Sequence, residues 1–234
     1  MRAAALAALL APGVAAANGM VDDLFLAVAA HEIGHAAIRE FDLPVLASEE
    51  AMADAFAVVA LHDAMPEEAG RIVAARAAAH LGDGQVSEPF SEYPDDARRA
   101  EADLCLLLAL DPEAHRAITR RFGMTDDQAD GCTDFGAEQA RGWRRLIAPL
   151  RMPEGARVTE VRLEVDPSLD ASERPSDAAL EAASDLLASF DWHSLVTSDV
   201  AQCDGGAGWA RNGRTITICG SHLARLAEDA GRGP

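Results

Sequence analysis

Two histidines and a glutamate have the spacing that lets one helix hold a metal ion. In the run LFLAVAAHEIGHAAIREF, His31 and His35 are four residues apart and therefore share one face of an α-helix. Glu32 is turned about 100° from that face, where a carboxylate can reach a metal-activated water without binding the metal. The spacing predicts a zinc site with His31 and His35 as ligands and Glu32 as general base.

A nearby acidic segment, SEEAMADAFA, supplies the third protein ligand that a catalytic zinc needs. Ser48 is suited to cap a helix over residues 49–62, on which Glu50 and Asp54 share one face. We predict Glu50 as the third ligand and Asp54 as the acceptor of a ring N–H from a ligating histidine. Glu49 is interpreted as an acidic first-turn residue facing the positive end of the helix dipole.

The alternative is that two core histidines have this spacing by accident. The helix around them is apolar nearly all round, which predicts that it is buried. Composition alone predicts about 0.02 occurrences of the pattern in this chain. The metal interpretation is therefore favoured.

These motifs resemble known metallopeptidases. Residues 50–57, EAMADAFA, are similar to the Glu-x-x-Ala-Asp motif of gluzincins related to the CAAX prenyl protease and the heat-shock membrane protease, whose membrane helices have no counterpart here. A closer resemblance is to a family of exported bacterial metallopeptidase-like proteins of unknown function, with HELGHALI and LPVLGREEDAADQ where this chain has HEIGHAAI and LPVLASEEAMAD. It continues through EYPDDARRAEADLCLLLALDP and GCTDFGAEQARGWRRLIAPL, and so covers about residues 24–150.

The resemblance also singles out two residues of the next loop. Where that family has a histidine and, six positions later, an arginine, this chain has Tyr93 and Arg99. Tyr93 is a candidate donor to the oxyanion, with packing of a loop aromatic as the alternative. Arg99 is a candidate ligand for a substrate carboxylate, with an ion pair on its own helix as the alternative.

The remaining pattern up to residue 152 is helical. Apolar periodicity predicts helices over 66–81, 96–110, 112–122 and 126–150, the last broken near Gly131, and a loop over 85–95. His62, His80 and His115 fall on apparently exposed helix positions and are interpreted as surface residues.

After residue 152 the pattern changes to mixed strand and helix. Residues 156–165 alternate as a strand, 178–190 predict a helix, and Asn212-Gly213 predicts a hairpin turn within 209–219, before a helix from Ser221. The last strand and helix resemble a segment ahead of the metal helix in many relatives, which implies packing beside the site; an appended αβ cap is the alternative. Such packing would bring His193 and His222 towards the site; the alternative is a structural role, which is more common for isolated histidines.

The predicted fold is α+β: a mostly helical zincin-like domain with an active-site helix pair and a small C-terminal αβ segment. Residues 1–17 have the pattern of a secretory signal peptide, with a buried Ala-rich helix as the alternative. The domain then covers residues 18–152 and the segment covers 153–234. We therefore predict an exported bacterial protein, periplasmic or secreted, with no other stretch long enough to span a membrane.

The charge and cysteine content of the chain bear on its partners and on the predicted exported location. The chain has 39 acidic residues against 20 arginines and no lysine, a net charge of −19 that disfavours nucleic acids and anionic membranes as partners. Its four cysteines lack the Cys-x-x-Cys spacing of a structural zinc site. We predict disulfides Cys105–Cys132 and Cys203–Cys219, although sequence permits three connectivities and free thiols remain the alternative.

The sequence thus predicts a zinc metallopeptidase that acts on a peptide or protein substrate. Zinc held by His31, His35 and Glu50 would activate a water, and Glu32 would take its proton. Two alternatives remain: an exported zinc protein with a closed, non-catalytic site, and a metal-free binding protein. Oligomeric state is not predicted.

Overall fold

A computed structural model of the chain describes residues 12–45, 48–91, 93–153, 156 and 160–234. Residues 1–11 of the predicted signal peptide lie outside the described residues. The predicted cleavage point after Ala17 falls within the first helix, Pro12–Glu40. None of the described helices has both the length and the apolar character needed to cross a bilayer. The signal peptide stays a prediction.

The described residues form eight α-helices and one four-stranded sheet. The N-terminal helices are α1 (Pro12–Glu40), α2 (Glu49–Ala64), α3 (Pro66–Asp83), α4 (Asp96–Leu110), α5 (Pro112–Arg121) and α6 (Asp126–Ile147), with a 3-10 turn at Ala148–Leu150. The C-terminal elements are β1 (Val161–Val165), α7 (Asp177–Ala188), β2 (Val196–Ala201), β3 (Ala207–Ala210), β4 (Thr215–Cys219) and α8 (Gly220–Ala230). The predicted mostly helical α+β fold is confirmed.

Helix ends follow local sequence. The Ser48 hydroxyl accepts a hydrogen bond from the Ala51 N–H at 3.3 Å and starts α2. Thr125 and Gln128 form a capping box at the start of α6. The predicted break at Gly131 is wrong, because α6 continues through it. One helical glycine costs only about 1 kcal/mol, and α6 is secured by its packing on α4.

Helices α1 and α2 pack closely because Gly34 has no side chain. A Cβ at Gly34 would lie 3.0 Å from Cδ1 of Phe56 and 3.1 Å from the Cα of Ala53. Phe25 and Phe56 are fully buried in the cluster that surrounds this contact. The close approach brings the start of α2 against the histidines of α1.

The sheet has the strand order β1-β2-β4-β3. Strands β1, β2 and β4 run parallel, whereas β3 is antiparallel to β4 and forms a hairpin with it. The hairpin turn lies at the predicted Asn212-Gly213. Among the described strands only β4 pairs with β3, so β3 is an edge strand of the sheet.

The C-terminal segment packs back on the helical part. A single hydrophobic cluster joins Phe25 of α1 to Val200 and Ile218 of the sheet. Helix α8 lies against α3 so closely that a Cβ at Gly82 would collide with the backbone of Asp229. The segment is therefore part of the core, and the domain boundary after residue 152 stays a prediction.

Two disulfides connect neighbouring elements. Cys105–Cys132 joins α4 to α6, and Cys203–Cys219 joins the β2–β3 connection to the end of β4. Among the three connectivities that sequence permits, the structure has the predicted one.

The surface assignment of three histidines is wrong. His115 is only 3 % exposed, because α5 turns it towards α3, where Gly70 leaves room for its ring. The His62 ring packs against it, with ring centroids 5.9 Å apart. His80 is partly buried, and its Nδ1 lies 3.1 Å from Oδ1 of Asp96. Helical periodicity identified these helices but not which of their faces meet other helices.

Candidate metal centre

Helix α1 directs two imidazoles at one point. The Nε2 atoms of His31 and His35 are 3.1 Å apart, and the two rings meet edge to face. His31 is 5 % exposed, so its ring nitrogens need partners within the protein.

Helix α2 brings a carboxylate to the same point. Glu50 lies with Oε2 3.4 Å from His31 Nε2 and Oε1 3.3 Å from His35 Nε2. The ligand atoms of the three residues all lie within 4.8 Å of one another, a group that could hold a metal ion. The structure thus brings together the three residues that the sequence singled out as ligands.

Each histidine also has a carboxylate at its other nitrogen. His31 Nδ1 lies 2.7 Å from Oδ1 of Asp54, a close charge contact whose angles are poor for a hydrogen bond. His35 Nδ1 lies 2.9 Å from Oε1 of Glu49. Such partners turn both Nε2 atoms towards the centre. Sequence analysis assigned this position only to Asp54 and missed Glu49.

Two arginines hold Asp54 in place. Arg99 donates from Nε and Nη2 at 2.7 and 2.8 Å, and Arg76 donates from Nη2 at 2.9 Å. The ion pair of Arg99 is therefore with α2, not with its own helix. Its Nη2 also lies 3.7 Å from Oε2 of Glu50. Arg76 was missed, because nothing in its local sequence shows that α3 faces α2.

Glu32 is buried next to the histidines and is 5 % exposed. Its Oε2 is buried with no hydrogen-bond partner among the described residues. Burial raises the pKa of the Glu32 carboxyl, although the neighbouring His31 and His35 oppose this. A carboxylate with a raised pKa can both accept and return a proton.

The charges of the cluster shift the titration of its members. Burial lowers the pKa of His35, but Glu50 and Glu49 outweigh it and raise the value to about 9. The same contacts hold the pKa of Glu50 well below its usual range against the opposing effect of burial. Before metal binding, the His35 imidazole therefore carries a proton at neutral pH.

A further carboxyl lies behind the two arginines. Asp103 on α4 is 3 % exposed, and its Oδ2 is 4.0 Å from Arg76 Nε. Burial, with the charge of Asp54, raises its pKa to about 8.

The cluster opens into a cavity of about 610 Å³. Its walls come from helices α1 to α4, the loop before α4 and the C-terminal segment. The C-terminal segment contributes Gly206, Ala207, Gly208, Trp209, Arg211, His222 and Leu226. Tyr93 also lines the cavity and is 52 % exposed. The C-terminal segment therefore forms one side of the pocket.

His222 lines this cavity and carries one ring N–H. Its Nδ1 is 2.8 Å from Nη2 of Arg225, and a guanidinium can only donate, so Nδ1 accepts and the proton of the neutral ring is on Nε2. Burial and the charge of Arg225 lower the His222 pKa to about 4. His193 is not among the cavity-lining residues; its ring packs against Phe41.

Fold and site together define a mostly helical α+β protein with a candidate metal centre between its first two helices. The chain belongs to a protein family whose description is "Putative metallopeptidase" and whose model matches residues 13–147. No protein of curated function and no solved structure matches the sequence.

Proposed function

We propose that the protein is a zinc-dependent metallopeptidase that hydrolyses peptide bonds. The observation that carries this proposal is the convergence of His31, His35 and Glu50 beside the buried, unpartnered carboxylate oxygen of Glu32. Three protein ligands with an adjacent general base are typical of a catalytic zinc site rather than a structural one.

The spacing of the ligand atoms supports zinc. A tetrahedral site with zinc–ligand distances of about 2.0–2.1 Å separates its ligand atoms by about 3.3–3.4 Å. The nitrogen–nitrogen separation of 3.1 Å and the nitrogen–oxygen separations of 3.3 and 3.4 Å are close to this value. When bound, zinc would supply Lewis acidity, which makes water more acidic and polarises a carbonyl group.

Glu32 provides the proton transfers. Its carboxylate accepts the proton of the attacking water, and its raised pKa lets it return that proton to the leaving amine. Arg76 and Arg99 act indirectly, because they hold the Asp54 carboxylate against His31. We assign Arg99 this positioning role, since both of its paired donors are directed at Asp54.

The edge strand β3, which lines the cavity, suits the binding of an extended peptide. Residues Gly206–Trp209 line the cavity, and β4 is the only described strand that pairs with β3. A peptide laid along this edge gains main-chain hydrogen bonds with little dependence on its sequence. His222 and the predicted donor Tyr93 line the same cavity, and we propose that they stabilise negative charge on the carbonyl oxygen.

An exported location fits the chemistry. Two disulfides in a chain of this size favour an oxidising compartment, and the acidic surface disfavours nucleic-acid substrates. We therefore propose peptides or proteins outside the cytoplasm as substrates.

The test combines metal content with activity. Wild type should carry about one zinc per chain by mass spectrometry, and His35→Ala and Glu50→Ala should lose it. Glu32→Gln should keep zinc but lose peptidase activity, while Glu68→Gln, an exposed acid on α3, should change neither. Zinc binding with equal activity in Glu32→Gln and wild type would overturn the mechanism, and absence of zinc from reconstituted wild type would overturn the function.

A further inference from the structure

Four arginines line the cavity, and three of them are already paired. Arg39 binds Glu49, while Arg76 and Arg99 bind Asp54. The fourth, Arg211, is exposed, and its guanidinium makes no hydrogen bond or ion pair with any residue that the structure describes. Its charge is free to meet a ligand.

The neighbouring contacts hold Arg211 on the cavity wall. Arg214, at the other end of the hairpin turn, forms an ion pair with Glu40 of α1, and its Nε donates to the Leu195 carbonyl at 3.4 Å. Within the turn, the Gly213 N–H donates to the Ala210 carbonyl at 3.1 Å. These bonds fix the turn against α1.

The other charges of the cavity make this arginine unusual. Glu49 and Glu50 are paired with the histidines, and Asp96 is paired with His80. Two lining carboxylates have no hydrogen bond or ion pair among the described residues: the proposed base Glu32, which is buried, and Asp83 at the exposed end of α3. With a net charge of −19, the chain as a whole repels acidic ligands, so an unpaired cation defines where an acidic group is accepted.

We propose that Arg211 is a specificity determinant that binds the carboxylate of an aspartate or glutamate in the peptide substrate, at one fixed position relative to the scissile bond. This inference rests on the proposed function. Arg211 directly follows the edge strand β3 and lines the same cavity, so a peptide aligned along β3 would present its side chains to Arg211 at one position. A planar guanidinium binds a carboxylate through two parallel hydrogen bonds.

The expected preference is modest because Arg211 is exposed. Ion pairs at exposed positions contribute less than about 1 kcal/mol, which corresponds to about fivefold in kcat/KM. The preference should decrease as ionic strength rises, since salt screens exposed charges.

The first experiment is cleavage-site profiling of the zinc-loaded full chain on a complex peptide mixture. Wild type should show aspartate and glutamate enriched about fivefold at one position. Arg211→Gln should lose this enrichment, and Arg211→Glu should replace it with a preference for lysine and arginine. Arg174→Gln is the matched control: Arg174 is exposed, lies outside the described cavity lining and has no described partner, so the profile should be unchanged.

The second experiment measures binding without turnover. Fluorescein-labelled hexapeptides, in which aspartate or asparagine occupies each position of an Ala-Val background in turn, are titrated into zinc-loaded Glu32→Gln. One aspartate position should bind about fivefold tighter than its asparagine match, and only in the presence of Arg211. Equal binding at every position, or a preference that Arg211→Gln retains, would overturn the inference. Absence of cleavage by zinc-loaded wild type would instead contradict the proposed function, while the binding series still tests Arg211.

Discussion

His35 Nδ1 lies 2.9 Å from Glu49 Oε1, and Arg39 Nε donates to the same oxygen at 2.9 Å. Glu49 therefore lies beside Nδ1 of His35 as Asp54 lies beside Nδ1 of His31. The first two turns of α2 supply the candidate ligand Glu50 together with both outer carboxylates. The two outer carboxylates differ in their surroundings, because Asp54 is held by buried arginines, whereas Arg39 is half exposed.

This difference predicts separate effects for two isosteric substitutions. Glu49→Gln should lower zinc affinity about tenfold with little change in stability, since such outer carboxylates typically contribute 10- to 100-fold. Asp54→Asn should lower zinc affinity and also destabilise the fold by about 3 kcal/mol, because it leaves Arg76 and Arg99 buried without their charge partner. Chelator competition and urea unfolding measure the two effects. Equal stability losses in both variants would contradict this assignment.

Gly34 should tolerate no side chain. In Gly34→Val the new atoms meet Phe56 and the backbone of Ala53, so α1 and α2 separate, with an expected cost of about 2 kcal/mol and weaker zinc binding. Gly142→Ala on α6 is the control, since its Cβ meets nothing within 4 Å and should stabilise the chain by up to about 1 kcal/mol. Urea unfolding measures the stability of both variants. If Gly34→Val were as stable as wild type, the close packing of α1 on α2 would be contradicted.

Zinc binding should release protons. The pKa of His35 in the metal-free protein is raised to about 9, so below that pH the imidazole must lose a proton before its Nε2 can bind a metal. Affinity should therefore rise with pH up to about 9, with about one proton released from His35 at neutral pH. Calorimetry in buffers of different ionisation enthalpy measures this release. A heat of binding that is independent of the buffer would contradict the prediction.

Asp103 should make stability fall as pH rises. Its folded-state pKa, raised to about 8 from an ordinary value of 3.8, means that the folded chain holds a proton that the unfolded chain has lost. Its contribution is complete below about pH 4 and is lost as pH rises through about 8. Asp103→Asn has no such group to titrate. As pH rises from 5 to 8, its free energy of unfolding should therefore increase by more than about 1 kcal/mol relative to that of wild type, as measured by urea unfolding. Parallel stability curves for the two proteins would rule out a buried proton at this site.

His222 should act on the chemical step. His222→Phe should lower kcat about 100-fold without loss of zinc, which is the typical cost of removing an oxyanion donor. Tyr93→Phe should have a smaller effect, because Tyr93 is 52 % exposed. Steady-state kinetics on one peptide, with zinc content measured in parallel, tests both. An unchanged kcat in His222→Phe would remove it from the mechanism.

The site residues that could be predicted from the sequence are those that lie close together along the chain. His31, Glu32 and His35 lie within five consecutive residues, and Glu50 and Asp54 follow on the next helix. Helical periodicity is enough to place each group on one face. The mostly helical fold was predictable for the same reason, because long periodic segments form most of the chain.

The parts that sequence missed depend on contacts between distant elements. Arg76, which was missed, reaches Asp54 only because α3 packs beside α2. His222 was suggested only through the resemblance of the C-terminal segment, and it reaches the cavity because α8 folds back onto α3. The burial of His115 likewise depends on Gly70, a residue 45 positions earlier. Local spacing contains no information about such pairings. Glycines within helices, such as Gly34 and Gly70, permit close contacts, but they do not identify the helix that is contacted.

The walls of the cavity come from two parts of the chain, and the family model covers only one of them. The metal-binding helices lie within residues 13–147, which the family model matches, whereas the wall carrying Arg211 and His222 lies beyond it. The family match therefore covers the candidate metal centre but not the wall that we propose selects among peptides. We therefore expect relatives with the same first pair of helices to differ in the peptides they accept, according to the hairpin that each folds across the cavity opening.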